Sequence, residues 1–374
     1  KILFSTSFDC FDEKLKIIWY DCYQNSNSSI FQHYKWMLQW YICFKESLDV
    51  KLCIKVLYRK GDVIGILPFC INTKNNFTFL EWIGTGVSDY LYPIIKNNQN
   101  VTKDEYNTIF EELLKNNKKI DLINLVNLPQ SADELKNDII TYFNCEFVNS
   151  AHEIKINSDF SEFTSNNKSI LKSIKDLKRL ENKLGKIDKI SYFEHDEKDC
   201  KILATNKMIE FKRKQYEATG AKNIFKKATY RNFYLSLLSH EDLKKNIHIS
   251  SILLGKEMIA VHYGLQDNHK YYYLMPAFNK SWNKFSPGGI LMKKIIEQSF
   301  YRKLLSFDFL SGNENYKLKW SNSKIDIYNY IMPISYKGYF LFFLMKLKKF
   351  LKKRLFIRNF IYFLRIQFSA FKNL

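Results

Sequence analysis

The feature that most restricts what this 374-residue chain can fold into is a strand pattern that occurs twice. Residues 55–69, KVLYRKGDVIGILPF, read as strand, tight turn at Lys60-Gly61-Asp62, and strand, with β-branched and aromatic residues on both sides. Residues 249–265, ISSILLGKEMIAVHYGL, have the same form and turn at Gly255-Lys256. Each hairpin precedes another strand, FTFLEWIG at 77–84 and KYYYLMPAF at 270–278, and the two sets are offset by about 195 residues. That recurrence points to an internal duplication, and the length suits two similar halves that each bury a core.

Helical patterns lie upstream of both hairpins. In the first half SIFQHYKWMLQWYICFKES (29–47) sets Phe31, Tyr34, Trp36, Leu38 and Trp40 in an apolar stretch that suits a packed helix. In the second, residues 165–187 place Ile170, Ile174, Leu177, Leu180 and Leu184 on one face, closed by Gly185 as a C-cap. A further helix over 203–217 ends at Gly220. Residues 165–312 therefore read as helix, helix, hairpin, strand, glycine loop, helix, strand. The fold class is α/β (α+β), with mixed central sheets flanked by helices. The expected divisions are 1–150, 151–335 and a tail over 336–374.

Composition removes several classes. The chain is 46% hydrophobic and 16% aromatic, which argues against disorder. Its seven cysteines are scattered without a C-x-x-C pair, the usage of reduced thiols rather than a disulfide framework or a zinc site. The seven histidines form no H-E-x-x-H, so no metal is expected. No signal-peptide pattern opens the sequence and no uncharged apolar run is long enough to span a bilayer, so a cytoplasmic location is expected.

The second half also carries a candidate anion site. In NKFSPGGILMKKII (283–296) Ser286-Pro287-Gly288-Gly289 lead into an amphipathic helix that sends Ile290, Leu291, Ile295 and Ile296 toward the sheet. A glycine pair at a helix start leaves backbone donors and the positive end of the helix dipole open to a phosphate, although an ordinary tight turn accounts for the same residues. Beyond it, LLSFDFLSGNENYKLKW (304–320) reads as a buried strand and an acidic, Gly/Asn-rich loop. Asp308 stands between Phe307 and Phe309 and should point to the opposite face from both. A carboxylate so placed is either partnered or functional.

Taken together, FSPGGILM (285–292), FDFLSGNENYKLKW (307–320), NNKSILKSIKDLKRLENKLG (166–185), EFKRKQYEATG (210–220) and WIGTGVSDYLYP (82–93) resemble the GNAT acetyltransferase superfamily. More narrowly they resemble its CelD/BcsL-like, cellulose-biosynthesis-type branch, which is related to the Fem-type transferases. The resemblance spans roughly residues 10–335. It implies two GNAT-like halves, the second holding acetyl-CoA or another acyl-CoA, with Ser286, Gly288, Gly289 and Ile290 at the pyrophosphate. It also implies acyl transfer to an amine, commonly on an amino sugar or polysaccharide precursor.

For that chemistry Asp308 ranks first as the base, with Glu314 second, and Tyr316 or Tyr273 as the acid. Asp89, Tyr90, Tyr216 and Lys317 are the candidates for holding the acceptor. Tyr273 and His262 are more simply read as packing, and Asp308 is read equally well as a cap on the loop or a partner of Lys317. Tyr216 stands where many relatives have Trp, and Lys172, Lys175 and Lys178 stand where relatives are often Arg-rich, which weakens the anion grip expected of that helix. The Fem relatives use aminoacyl-tRNA as donor, an alternative that a basic surface suits, but their helical arm is not evident.

The net charge is +20, and ten basic residues with no acidic one lie between Lys337 and Leu374. Phe340, Phe343, Leu344, Leu347, Leu351 and Leu355 fall on one helix face, with Lys346, Lys349, Lys352 and Lys353 on another, while Arg354 and Arg358 interrupt the stripe. The pattern suits an anionic membrane surface, peripherally on the inner face of the cytoplasmic membrane, over about 340–368. A helix packed on the body is the competing reading. A non-catalytic basic protein that binds membrane or nucleic acid is the remaining class, without any zinc-finger or RNA-recognition signature to support it.

Overall fold

The computed structural model describes residues 3–132 and 135–353. The first half runs β1 (Leu3–Phe8), α1 (Glu13–Gln24), α2 (Tyr34–Phe44), β2 (Ile54–Arg59), β3 (Asp62–Leu67), β4 (Phe69–Lys74), β5 (Phe77–Trp82), α3 (Lys103–Asn116), β6 (Leu122–Pro129), α4 (Asp138–Tyr142) and β7 (Glu146–Lys155). An additional helix, α5 (Lys168–Gly185), follows. The second half then repeats the order: β8 (Ile190–His195), α6 (Lys198–Thr219), α7 (Ala228–Leu237), β9 (Ile247–Leu254), β10 (Glu257–Gln266), β11 (Lys270–Phe278), α8 (Pro287–Tyr301), β12 (Ser306–Ser311), α9 (Asn315–Trp320) and β13 (Ser323–Pro333). The last described element is α10 (Tyr336–Lys353).

The repeat is imperfect at one place. In the second half β10 is one continuous strand, whereas the corresponding stretch of the first half is divided at Pro68 into β3 and β4. Strand β3 pairs with β2, and β4 pairs with β5, so the two pieces belong to different sheets. One sheet has the order β1-β2-β3 with Ile94–Ile95 at its edge. The main sheet has the order β8-β9-β10-β11-β12-β7-β13-β6-β5-β4, with Lys51–Leu52 at the far edge, eleven strands in all.

Its centre is an exchange. Strand β7, the last of the first half, pairs with β12 of the second, and β13, the last of the second, pairs with β6 of the first. β7 and β13 also pair with each other. The two halves thus share one hydrogen-bonded sheet and are not beads on a linker.

Local sequence accounts for the elements. The Asp12 side chain caps α1 at the N–H of Leu15, and Thr102 with Glu105 forms a capping box at α3. Gly220 ends α6 with φ 65°, a left-handed residue that only glycine adopts without cost. Three expectations are corrected. Gly185 is the last residue of α5 and not its cap, since Lys186 takes that position in right-handed conformation. The stretch 29–47 is not one helix, because Ser29 and Gln32 cap a short 3-10 turn and His33 restarts the chain as α2. Helices α5 and α6 do not follow each other directly, since the edge strand β8 intervenes.

Helix α10 is attached at its first turn. Buried Gly338 lies against the backbone of Asp121, and the Ile334 N–H donates to the Asp121 carbonyl at 2.8 Å. Lys346 and Lys349 both pair with Glu146. The tail from residue 354 on, including Arg354, Leu355 and Arg358, lies outside the described residues.

Candidate active site

The cleft begins where a sheet comes apart. Strands β11 and β12 run parallel and pair at Lys270–Ser306, Tyr271–Phe307 and Tyr272–Asp308. Past that point each strand keeps its outer neighbour, β11 on β10 and β12 on β7, while the facing edges have no pairing. Pro276 sits on the opened edge, where a missing N–H costs no ladder bond. Between Tyr273, Leu274, Met275 and Pro276 on one side and Phe309, Leu310 and Ser311 on the other lies a cleft of 530 Å³, within the size range of small-molecule sites.

The N-terminus of α8 opens into this cleft. Ser286, Gly288 and Gly289 line it, and Ser286 makes no side-chain capping bond. Ser286 holds φ 50° and ψ 51°, which turns the chain sharply into the helix. The glycines relieve close approach: a Cβ on Gly289 would meet Ser286 Oγ at 2.6 Å and Leu177 Cδ2 at 3.0 Å, and one on Gly288 would meet Phe278 Cδ1 at 3.1 Å, so a side chain at either position would displace its neighbours. The site therefore combines first-turn amides, a dipole and an absence of side chain, which is the form of an anion cradle. Ile290 does not contribute as expected. Its side chain is fully buried in the core and its N–H is taken by the Ser286 carbonyl at 3.0 Å.

Four charged groups gather elsewhere in the same cleft. Asp89 comes from the first half, Lys212 from α6, and Glu314 and Lys317 from the start of α9. Burial pushes the Asp89 carboxyl up to about 6, against the charge of Lys317 and a hydrogen bond from the Ser311 backbone, which pull it down. Burial also lowers the Lys212 ammonium to about 8, with Glu314 opposing and Lys317 reinforcing the shift. Lys317 is buried and donates to the Ser311 carbonyl at 2.7 Å, and its ammonium lies 3.1 Å from Glu314. Tyr316 and Tyr216 complete the wall, and burial raises both phenols above their ordinary range.

Asp308 is in a different place from the one its proposed role requires. Its side chain is fully buried and is not part of the cleft lining. Strand alternation sends Phe307 and Phe309 to the α8 face and Asp308 to the other. There Oδ2 accepts from the Tyr90 hydroxyl at 2.8 Å and Oδ1 accepts from the Leu310 N–H at 2.7 Å. Burial raises its carboxyl to about 7, with Lys270 lowering and Glu153 raising it. It does not pair with Lys317.

The loop that carries Asp89 is held on every side. Trp36 donates to Ser88 Oγ at 2.9 Å, Asn127 donates to the Ser88 carbonyl at 2.8 Å, and Gln32 donates to the Tyr90 carbonyl at 2.9 Å. Asp89 and Tyr90 thus work in opposite directions from adjacent positions, one facing the cleft and the other bonded to Asp308. The cleft residue that sequence reading missed is Lys212. It stands four positions before Tyr216 on α6, and that helical spacing is the signal that could have found it.

The lysines of α5 and His262 fall outside the cleft. Lys172, Lys175 and Lys178 are exposed on α5 and do not line it. His262 is fully buried, stacked on Tyr273 at 4.2 Å, and held neutral by burial. Tyr273 packs there and also lines the cleft. Among the described residues no cluster of His, Cys, Asp and Glu could hold a metal ion.

Comparison with known proteins agrees with this architecture. A family model described as an acetyltransferase (GNAT) domain matches residues 172–318. No curated protein matches the chain. The chain is similar to the crystal structure of FemX, with 10% identity and a TM-score of 0.54, over 86% of this chain and 96% of that one. It is similar to a conserved protein of unknown function from Bacteroides thetaiotaomicron, with 9% identity and a TM-score of 0.52, over 89% of this chain and 100% of that one. It is also similar to the C-terminal domain of a protein assigned as a lysylphosphatidylglycerol synthetase from Agrobacterium fabrum, with 7% identity and a TM-score of 0.50, over 87% and 95%. At these identities the likeness is one of fold: a mixed α/β molecule of two GNAT-like halves with sheets flanked by helices.

Proposed function

We propose that the chain is an N-acyltransferase of the CelD/BcsL-like kind, moving the acyl group of acetyl-CoA or another acyl-CoA to an amine on an amino sugar or cell-envelope polysaccharide precursor. One observation carries this reading. A single cleft, opened by the parting of β11 from β12, contains both an uncapped, glycine-lined helix start and a carboxyl with its pKa raised to about 6.

The donor supplies an activated thioester. The amides of Gly288 and Gly289 are suited to its phosphates, and the opened strand edges offer backbone groups to an extended arm. Asp89 is the base in this reading in place of Asp308. A carboxyl titrating near 6 is ionised at neutral pH yet basic enough to take the proton of an attacking amine. As the C–N bond forms and the C–S bond breaks, Tyr316, kept protonated by burial, can return a proton to the departing sulfur. Lys212 and Lys317 keep charge near Asp89 and Glu314 balanced while the amine loses its own.

Release of free thiol from acetyl-CoA in the presence of amino sugars, with the product identified by mass, tests the proposal. Amine-dependent thiol release that disappears in Asp89→Asn supports it. Absence of thiol release with every amine tested, together with deacylation of a charged tRNA, would instead favour the Fem-like aminoacyl-tRNA donor. The likeness to FemX and the net charge of +20 support that alternative.

A further inference from the structure

The sequence leaves two readings of the terminal helix open, a membrane face or a face packed on the body. In the structure the side of α10 that meets the body is the one bearing Gly338, Leu341 and Phe342. The apolar stripe is the opposite side. Tyr339, Phe340, Phe343, Leu344, Leu347 and Leu351 recur at spacings of three and four, and each is between 36% and 61% exposed. Large apolar side chains in a continuous exposed row are unusual on a soluble surface and mark a contact with something else.

Charge decides what that contact is. Lys337 and Lys348 lie on one flank of the stripe, Lys346 on the other flank is paired with Glu146 of the body, and from Lys337 to Leu374 the sequence has ten basic residues and no acidic one. A second copy of α10 laid along the stripe would bring lysines against lysines in either orientation, with no carboxylate on the helix to pair with them. Residues 354–374 carry the same sign and are no better a complement. Anionic lipid headgroups complement both features at once: they attract the lysines while the aromatic and leucine side chains enter the boundary with the acyl chains. No helix among the described residues is long and apolar enough to cross a membrane, so the contact is one of lying on the surface.

We propose that α10 docks the molecule on an anionic lipid bilayer through the stripe centred on Phe340, Phe343 and Leu347. The proposal does not depend on the reading of the cleft, and its failure would leave that reading intact.

The test is flotation of the full chain with vesicles of phosphatidylcholine alone and of phosphatidylcholine mixed with phosphatidylglycerol. The wild-type protein is expected to bind the mixed vesicles, to bind the neutral ones far more weakly, and to be released by salt. The triple variant Phe340→Asp, Phe343→Asp, Leu347→Asp is expected to lose binding by about tenfold or more, with an unchanged melting temperature because the stripe is exposed among the described residues. Binding that is equal for both vesicles, or unaltered by the triple variant, overturns the proposal. So does light scattering that shows a wild-type dimer and a monomeric triple variant without vesicle binding, which would make the stripe a seam between two copies. A lowered melting temperature with vesicle binding retained would show that the stripe packs within the molecule, and would equally overturn it.

Discussion

The Tyr90 hydroxyl donates to the Asp308 carboxylate at 2.8 Å, a buried hydrogen bond between residues 218 positions apart. It ties the first-half loop that carries Asp89 to the strand of the second half that forms one edge of the cleft. Asp308 is also the acceptor for the N–H of Leu310, which holds φ 63° where β7 and β12 slip out of register. A bulky residue with that conformation is strained and persists only when its surroundings hold it. Asp308 is thus a positioning residue in this account. Tyr90→Phe is expected to lower stability by about 1–3 kcal/mol, the cost of a buried acceptor left without its donor. Denaturant unfolding of the two proteins measures it, and the loss should be larger at pH 8 than at pH 5, where a protonated Asp308 needs the donor less.

The same carboxyl makes stability depend on pH in a defined direction. Folding raises Asp308 to about 7 and Asp89 to about 6 from an ordinary value of 3.8. Between the unfolded and folded values the native state holds protons that the unfolded state has lost, so stability falls as pH rises. Above the folded values it levels off. Each carboxyl contributes a slope of up to about 1.4 kcal/mol per pH unit inside its own window. Buried His33 and His262, held neutral, give the opposite slope below about pH 6.5, so the Asp308 contribution is read as a difference: the stability of the wild type relative to Asp308→Asn should fall from pH 4 to pH 7 and then level off.

Kinetics separates the two aspartates. Asp89→Asn is expected to lower turnover by about 10²-fold or more, the usual scale of general-base catalysis, and to abolish the rise of kcat/KM with pH near 6. Asp308→Asn should lower turnover through misplacement of the loop and leave that rise in place. A pH profile that loses its limb in Asp308→Asn but keeps it in Asp89→Asn would return the role of base to Asp308.

Lys212 offers a chemical readout of the cleft. An ammonium lowered to about 8 has far more free amine at neutral pH than an ordinary lysine near 10.5. Brief labelling with acetic anhydride followed by peptide mass analysis should modify Lys212 ahead of exposed Lys175 on α5, and CoA should protect it.

Much of this molecule was legible as sequence. The two hairpins stand where their turns placed them, because period-two alternation around Lys60-Gly61 and Gly255-Lys256 leaves few alternatives to a strand pair. The spacing of Ile170, Ile174, Leu177, Leu180 and Leu184 described α5 for the same reason. Strand β8 was missed because five partly covered residues and exposed Phe193 at a sheet edge carry little periodic signal. The exchange of β7 and β13 was not readable, since pairing between strands far apart in sequence leaves no local mark. The site shows the same division. Ser286, Gly288, Gly289, Asp89, Tyr216, Glu314, Tyr316 and Lys317 meet in one cleft. Strand alternation turned Asp308 away from its neighbours, as its position between two phenylalanines implied, but which face held the cleft depended on where β11 and β12 part.

Isothermal calorimetry with CoA and acetyl-CoA tests the central claim most directly, using the wild type and Gly288→Trp. The account predicts saturable binding by the wild type and its loss in Gly288→Trp, whose side chain would occupy the mouth of α8 and push Phe278 aside, so the variant stays folded with a lowered melting temperature. Absence of CoA binding by the wild-type protein, or undiminished binding by a folded Gly288→Trp variant, would contradict it.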